Sequence, residues 1–347
     1  MGVLSRNNAY VAARAKSRKR KLIDSTRFRQ LVQQTPEQLA VSIADSGYRQ
    51  EIDKYAGAFK GSDLIEVGLS HNLEAELANI IELCSGDLRK QVEIYTGRFR
   101  YHNAKVVMRA AYNEIESSKI AHTVLPEENE INVPWLKMVE EANGLRSVVE
   151  QMRRLPFGSA LLALSDTATL GEYEDVLDRH YFQHSLSGLS GNSPETRVLR
   201  NLLATEIDHR NIINILEAVE FGQSAEEILS VLISGGRLIK ESAFNAVANS
   251  GKSGLLDVLR QSRRFDFDEF EKMLAESDAN NTLDPIITWL RKREIATMKS
   301  LSYLHPVSAL PVVHYVSCKV REVENLRLIV RGASAGLSAE VLEAHIL

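Results

Sequence analysis

The chain has 347 residues, of which 44% are apolar and 25% are charged, the balance of a water-soluble globular protein. This composition excludes a largely disordered chain, and no apolar run approaches the length that crosses a bilayer. The length predicts two or three domains. The first residues lack the apolar core of a secretory signal, so we expect a cytoplasmic protein. Two cysteines, Cys84 and Cys318, are too few for a disulfide framework or a four-ligand zinc site, and we expect both to be reduced.

Charge is distributed unevenly along the chain. The net charge is −4, but residues 1–30 hold nine Lys or Arg against one acid, so they carry +8 and the remainder carries −12. This acidic remainder argues against a nucleic acid as the main partner. The densest run, which we call the basic stretch, consists of Arg14, Lys16, Arg18, Lys19, Arg20 and Lys21.

The basic stretch has two interpretations. On a helix, Arg14, Arg18 and Lys21 share one face, and Lys16 and Arg20 lie on another. Such a face would attract anionic headgroups or acidic partner residues near a membrane surface, at about 1 kcal/mol per basic residue. Alternatively, it is a solvated helix face whose charge the acidic remainder balances.

Helix signals continue after the basic stretch. The residues Thr35-Pro36-Glu37-Gln38 combine a capping residue, a proline at the first helical position and a glutamine three residues after the cap. They predict a helix that buries Leu39 and Ile43 and ends near Ser46-Gly47.

Further apolar residues recur at helical spacing. Residues 72–84 predict a helix that Gly86 closes, and residues 106–111 and 212–219 predict two more. Asn143-Gly144 lies between helical patterns, and alternating strands around such a turn are missing. The sequence therefore predicts an all-α fold.

An internal repeat of domain size is the most informative pattern. Gly144 and Gly254 begin two similar segments, residues 144–155 and 254–265. Both segments open with Gly-Leu, contain an apolar pair and end in Gln-x-Arg-Arg followed by a large apolar residue. Residues 39–48 resemble a fainter first copy.

A second element repeats in the same order. Asn211 and Asn325 are each followed eleven residues later by a glycine, Gly222 and Gly336, and then by Ser-Ala-Glu two residues after that glycine. Each glycine is expected to end a helix, with the serine capping the next one. Asn103 lies in a fainter first copy. The three asparagines either line a central cavity or bind backbone groups at helix ends within their own domains.

The two elements together predict three related helical domains, residues 1–122, 123–234 and 235–347. A period near 110 residues is too long for a solenoid repeat. Three similar units can close around a pseudo-threefold axis and form a funnel with a central opening.

The strongest family resemblance lies in the last 50 residues. The stretches that carry it are Tyr10 to Ser17, Leu177 to Phe182, Asp208 to Ile212, Gly235 to Leu238, Tyr303 to Pro306, Tyr315 and Lys319 to Ile329. In these stretches the chain resembles the C subunit of the archaeal (A/V-type) ATP synthase, the family of the vacuolar ATPase d subunit. The chain departs from the family where a Gly-Lys pair is usual and Arg331-Gly332-Ala333 stands instead.

The resemblance implies a non-catalytic part of a rotary motor. In this family the protein is a funnel of three helical domains on the cytoplasmic face of the proteolipid ring. Its socket receives the axle formed by the D and F subunits, and torque passes between the ring and the catalytic head. The implied protein has no transmembrane segment, no cofactor, no metal and no small-molecule substrate.

No catalytic motif offers a competing enzyme function. The sequence has no phosphate-binding loop, no His-Glu-x-x-His and no Cys-x-x-Cys, and Gly188-Leu189-Ser190-Gly191 lacks the register of a nucleophile elbow. Two other function classes stay open on the residues alone. One is a helical adaptor or scaffold unrelated to the ATPase, and the other is a nucleic-acid binder that uses the basic stretch as an arm.

Overall fold

The computed structural model describes residues 3–121, 124 and 133–346 of the chain. Its first half contains ten α-helices. They are α1 Val3–Lys19, α2 Ser25–Leu31, α3 Pro36–Ile43, α4 Arg49–Tyr55, α5 Gly61–Glu82, α6 Gly86–Thr96, α7 Arg98–Tyr112, α8 Ser117–Ile120, α9 Val133–Glu140 and α10 Leu145–Gln151.

The second half continues the helical pattern. Its helices are α11 Gly158–Leu162, α12 Leu170–Gly188, α13 Pro194–Glu220, α14 Ala225–Val231, α15 Glu241–Arg260, α16 Phe267–Asn280, α17 Asp284–Leu304, α18 Leu310–Ser334 and α19 Ala339–His345. A π turn over Ala44–Tyr48 and a 3-10 turn over Met152–Arg154 complete the regular structure. The described residues contain no strand, so the predicted all-α class is confirmed. None of the described helices combines the length and apolar character needed to span a bilayer.

The chain divides into two compact units. The first unit is discontinuous and joins Met1–Met152 to Pro306–Leu347, and the second unit is Arg153–His305. The three predicted repeats stay a prediction, and the boundary predicted between residues 122 and 123 lies outside the described residues.

Helix α18 is the central element of the first unit. It packs against α1, α3, α5 and α6, and α5 also packs against α3 and α4. Leu69 and Leu73 of α5, and Val323 and Leu326 of α18, are fully buried in this core. Burying each of these side chains stabilises the fold by about 1.5–3 kcal/mol.

The second unit has its own hydrophobic core. Helix α13 packs against α14, α15 and α17, and its apolar residues join one buried cluster with those of α15, α16 and α17. Phe265 and Phe270 lie edge to face at 5.4 Å between ring centroids, and Trp289 lies edge to face with Phe265 at 5.6 Å. Such aromatic pairs stabilise a core beyond their buried area.

The predicted start of the helix at Thr35 and its two buried residues are confirmed, whereas the helix ends earlier than the predicted Ser46-Gly47. The Thr35 side chain accepts from the Gln38 backbone, and the Gln38 side chain accepts from the Thr35 backbone. Leu39 and Ile43 are buried, and α3 ends at Ile43. The π turn then follows, and Gly47 has φ of +106°, a value that a side chain disfavours.

The helix predicted for residues 72–84 was placed wrongly at both ends. Helix α5 begins at Gly61, and Gly86, with φ of +55°, is the first residue of α6 rather than the end of α5. The first half of α5 buries polar residues, Glu66 and Ser70 among them, which interrupts the apolar pattern. Contacts to α18 compensate for this polar burial.

Candidate functional site

The basic stretch spans the end of α1 and the turn after it. Helix α1 ends at Lys19, so Arg20 and Lys21 lie in the turn rather than on the helix. Arg14 and Arg18 of α1 nevertheless line one cavity of about 320 Å³ in the first unit, together with Lys21 of the turn. Lys16, Lys19 and Arg20 lie outside this lining. We call this space, bounded by α1, the π turn, α5 and α18, the α1 cavity.

Glu76 of α5 is one of two acids in the wall of the α1 cavity. The Arg18 guanidinium donates to Glu76 Oε2 at 2.8 Å, and the Tyr315 hydroxyl donates to the same oxygen. Burial, followed by the adjacent Glu76 carboxylate, raises the pKa of Tyr315, so its hydroxyl stays protonated. Arg18 is therefore an ion-paired structural residue and not simply a solvated charge.

Glu322 of α18 is the second acid, and it is buried. It accepts from the Tyr48 hydroxyl at 2.5 Å, from Lys319 Nζ at 2.9 Å and from the Ile23 N–H at 2.5 Å. Lys319 also donates to the Tyr48 oxygen at 2.8 Å. Desolvation, and then the nearby Glu322 charge, hold the pKa of Tyr48 far above its ordinary value. The Glu322 carboxylate thus connects three parts of the chain. They are the π turn, α18 itself and the segment that follows α1.

Two further polar contacts join α5 to α18. Arg331 binds Glu66 through two N–H···O bonds of 2.5 and 2.6 Å, a bidentate pair. Arg327 donates to Ser70 at 2.7 Å, and burial lowers the pKa of Arg327 to about 10. These contacts explain the polar residues in the first half of α5. They also give Arg331, at the departure from the family pattern, a structural role.

The repeated asparagines are buried. Asn211 donates to the Ile233 carbonyl and accepts from the Ile233 N–H, both at 2.8 Å. Its amide therefore binds backbone within the second unit, as the second interpretation predicts. Asn103 is fully buried and Asn325 is 5% exposed. The role of the three as equivalent repeat positions stays a prediction.

The repeated glycines differ between the two elements. Gly222 and Gly336 have φ of +67° and +74°, and in both the next residue's N–H donates to the carbonyl five residues back at 2.9 Å. This is a helix-ending turn, and Ser224 and Ser338 cap the helices that follow. Gly144, in contrast, immediately precedes α10 with φ of +86°.

Gly254 has different surroundings from Gly144. It lies inside α15, just after a kink at Gly251. A Cβ there would meet the Ala246 carbonyl and the Val247 Cα at 3.1 Å, so close backbone packing requires the glycine. Whether the two glycines superpose as repeat positions stays a prediction.

Asp208 binds the loop of residues 236–239, a contact that the sequence did not predict. Its carboxylate accepts from the N–H groups of Arg237, Leu238 and Ile239 at 2.8–3.1 Å. A Cβ on Gly236 would lie 2.3 Å from Asp208 Oδ1, so only glycine permits this approach. The family-like stretches around residues 208 and 235 therefore bind each other. Their composition gave no signal of this pairing.

Asp208 should make the stability of the protein depend on pH. Burial raises its pKa from 3.8 to about 6, against the three N–H bonds that favour the charged form. The native state therefore binds the proton more tightly than the unfolded state. The resulting stabilisation is fully present below pH 4 and is lost as pH rises through about 6, by about 3 kcal/mol.

The measurement is the free energy of unfolding of the wild type and of Asp208→Asn from pH 4 to pH 7. The variant cannot titrate at this position, so the wild type should lose stability relative to it as pH rises. A difference that stays constant over this range would contradict the predicted titration.

No metal centre emerges from the described residues, since they contain no group of three His, Cys, Asp or Glu side chains placed to hold an ion. The arrangement is a set of buried polar contacts that fix helices, together with one polar cavity.

Comparisons with known proteins agree with the sequence resemblance. The model of the ATP synthase (C/AC39) subunit family matches residues 11–345. The C subunit of the A-type ATP synthase of Halorubrum lacusprofundi is 30% identical, over 99% of this chain and 98% of its own. The corresponding protein of Haloquadratum walsbyi is 29% identical over both full lengths, and that of Methanococcoides burtonii is 23% identical over 99% and 95%. The match extends over nearly the whole of the described fold, and the chain belongs to the ATP synthase (C/AC39) subunit family.

Proposed function

We propose that the chain is the non-catalytic rotor subunit of a rotary ATP synthase, linking the D and F axle subunits to the proteolipid ring. The observation that supports this most is the end-to-end match to relatives named as the C subunit of A-type ATP synthases. In this role the chain transmits torque for ion transport coupled to ATP synthesis or hydrolysis, and it sits peripherally on the cytoplasmic face of the membrane.

The internal repeat supports a specific geometry for this role. We propose three related helical units, residues 1–122, 123–234 and 235–347, around a pseudo-threefold axis. A central opening would receive the tip of the axle, and the opposite rim would rest on the ring. The twin helix-ending turns at Gly222 and Gly336 are in keeping with this repeat.

The basic stretch provides a candidate contact with the membrane side. Arg14, Arg20 and Lys21 are exposed, and Lys16 and Lys19 are half-buried. We propose that these side chains face acidic ring residues or anionic headgroups. Attraction between exposed charges is screened by salt, so this contact should weaken as ionic strength rises.

A binding experiment tests the proposal directly. Purified chain is mixed with membranes stripped of their soluble sector and, separately, with a purified complex of the D and F subunits. We expect it to sediment with the membranes, and to bring the D and F complex with it when all three are mixed. Membranes from a strain without the proteolipid are the control. If the chain binds neither partner, an adaptor role unrelated to the ATPase replaces the proposal.

A further inference from the structure

The α1 cavity carries more positive charge than its own acids neutralise. Four basic side chains line it, Arg14, Arg18, Lys21 and Lys319, against two acids. Glu76 pairs with Arg18, and Glu322 pairs with Lys319. The two tyrosines that also bind these carboxylates stay protonated. Within the described residues Arg14 and Lys21 make no ion pair, so the cavity retains a charge of about +2.

A buried polar group in the wall of the α1 cavity does not contribute to anion binding. The Asn72 side chain is 9% exposed and lies in the wall of the α1 cavity, and its Oδ1 has no hydrogen-bond partner within the described structure. Leaving a buried polar atom without a partner costs about 1–3 kcal/mol. Oδ1 accepts hydrogen bonds and is closed to solvent, so an anion in the cavity neither reaches it nor satisfies it.

We propose that the α1 cavity binds the dianionic phosphate group of inorganic phosphate or of a phosphomonoester. A dianion neutralises both Arg14 and Lys21, whereas a carboxylate or a phosphodiester neutralises only one of them. At pH 7.5 inorganic phosphate is mainly the hydrogen phosphate dianion, and a phosphomonoester, whose second pKa is near 6, is almost fully dianionic. The planar guanidinium of Arg14 matches phosphate oxygens, and Lys21 adds a point charge.

The volume is compatible with this ligand. A cavity of about 320 Å³ falls at the lower end of the size range of small-molecule sites. Its wall has a buried part, with Lys319, Tyr48 and Glu322, and an exposed part, with Arg14 and Lys21, through which an anion can enter. The proposal goes beyond the rotor function and does not rest on it, since the isolated chain contains the whole cavity.

Calorimetry with inorganic phosphate on the purified full-length chain at pH 7.5 tests the proposal. The variant is Arg14→Gln with Lys21→Gln, and the matched control is Lys16→Gln with Arg20→Gln, which removes the same charge outside the cavity. We expect the cavity variant to lose at least tenfold in affinity and the control less than threefold, because only the first pair contacts the anion. All four side chains lie at the surface or near it, so folding should be retained and is checked by circular dichroism.

Vesicles distinguish the source of the phosphate group. Vesicles of neutral lipid with phosphatidic acid present a phosphomonoester, and vesicles with phosphatidylglycerol at equal surface charge present a phosphodiester. Binding of inorganic phosphate alone identifies a soluble ligand, and preferential binding of phosphatidic acid that requires Arg14 and Lys21 identifies a lipid. The proposal is overturned if phosphate produces no heat beyond that of chloride at equal ionic strength, with no preference between the vesicles. The proposal is also overturned if the cavity variant and the control variant lose the same affinity for phosphate.

Discussion

Removing this subunit from the assembled complex should abolish ATP-driven ion pumping and leave ATP hydrolysis by the soluble head intact. Each elementary charge that crosses 100 mV stores about 2.3 kcal/mol, and this work has to pass mechanically through the rotor. Without a connection between ring and axle, rotation of the axle performs no work on the ring. Pumping should therefore fall to the background of uncoupled vesicles.

The measurement uses reconstituted vesicles with a fluorescent reporter of the ion gradient, together with an assay of phosphate release. Adding the purified chain back should restore pumping, which controls for damage to the ring. Pumping can also be compared between vesicles that receive the wild-type chain and vesicles that receive a chain with both Gly222→Val and Gly336→Val. These two changes strain two helix-ending turns. Substantial pumping without the subunit would show that the rotor-coupling proposal is wrong.

Replacing Glu322 by alanine should cause a large loss of stability in the first unit. The change leaves Lys319 charged and buried without its partner and removes the acceptor of two further donors, Tyr48 and Ile23. Breaking a buried pair in this way costs about 3–5 kcal/mol. We expect the free energy of unfolding, measured in urea, to fall by that amount.

A matched glutamate provides the control. Glu343 forms an ion pair with Arg29 at 3.5 Å in which both side chains are exposed. Glu343→Ala makes the same chemical change in a helix and should cost less than about 1 kcal/mol. Similar losses for the two variants would mean that Glu322 does not stabilise the first unit through its buried contacts.

Local signals in the sequence predicted local structure well. The capping residues around Thr35 predicted the start of α3, and the glycine and serine pairs after Asn211 and Asn325 predicted two helix ends. These features depend on residues within one or two helical turns. The all-α class follows from the same kind of signal, repeated along the chain.

Contacts between distant residues could not be predicted in this way. Arg331 and Glu66 are separated by 265 positions, and Tyr48 and Glu322 by 274. The start of α5 was missed because Glu66 and Ser70 look like solvent-facing residues until α18 is placed beside them. The α1 cavity was only partly foreseen, since the shared face of Arg14, Arg18 and Lys21 was visible but Asn72 and the two glutamates were not.

The discontinuity of the first unit has a consequence for biosynthesis. Helix α18 packs against α1 and α5 but is synthesised long after them, since the whole second unit lies between them in the sequence. The contact between Ile23 and Glu322 spans 299 positions, so the first unit cannot complete its core until α18 has been synthesised. The second unit is continuous and can fold earlier, while the chain is still being made. Until α18 is synthesised, the apolar faces of α1 and α5 lack their partner, so we expect them to be exposed in the nascent chain.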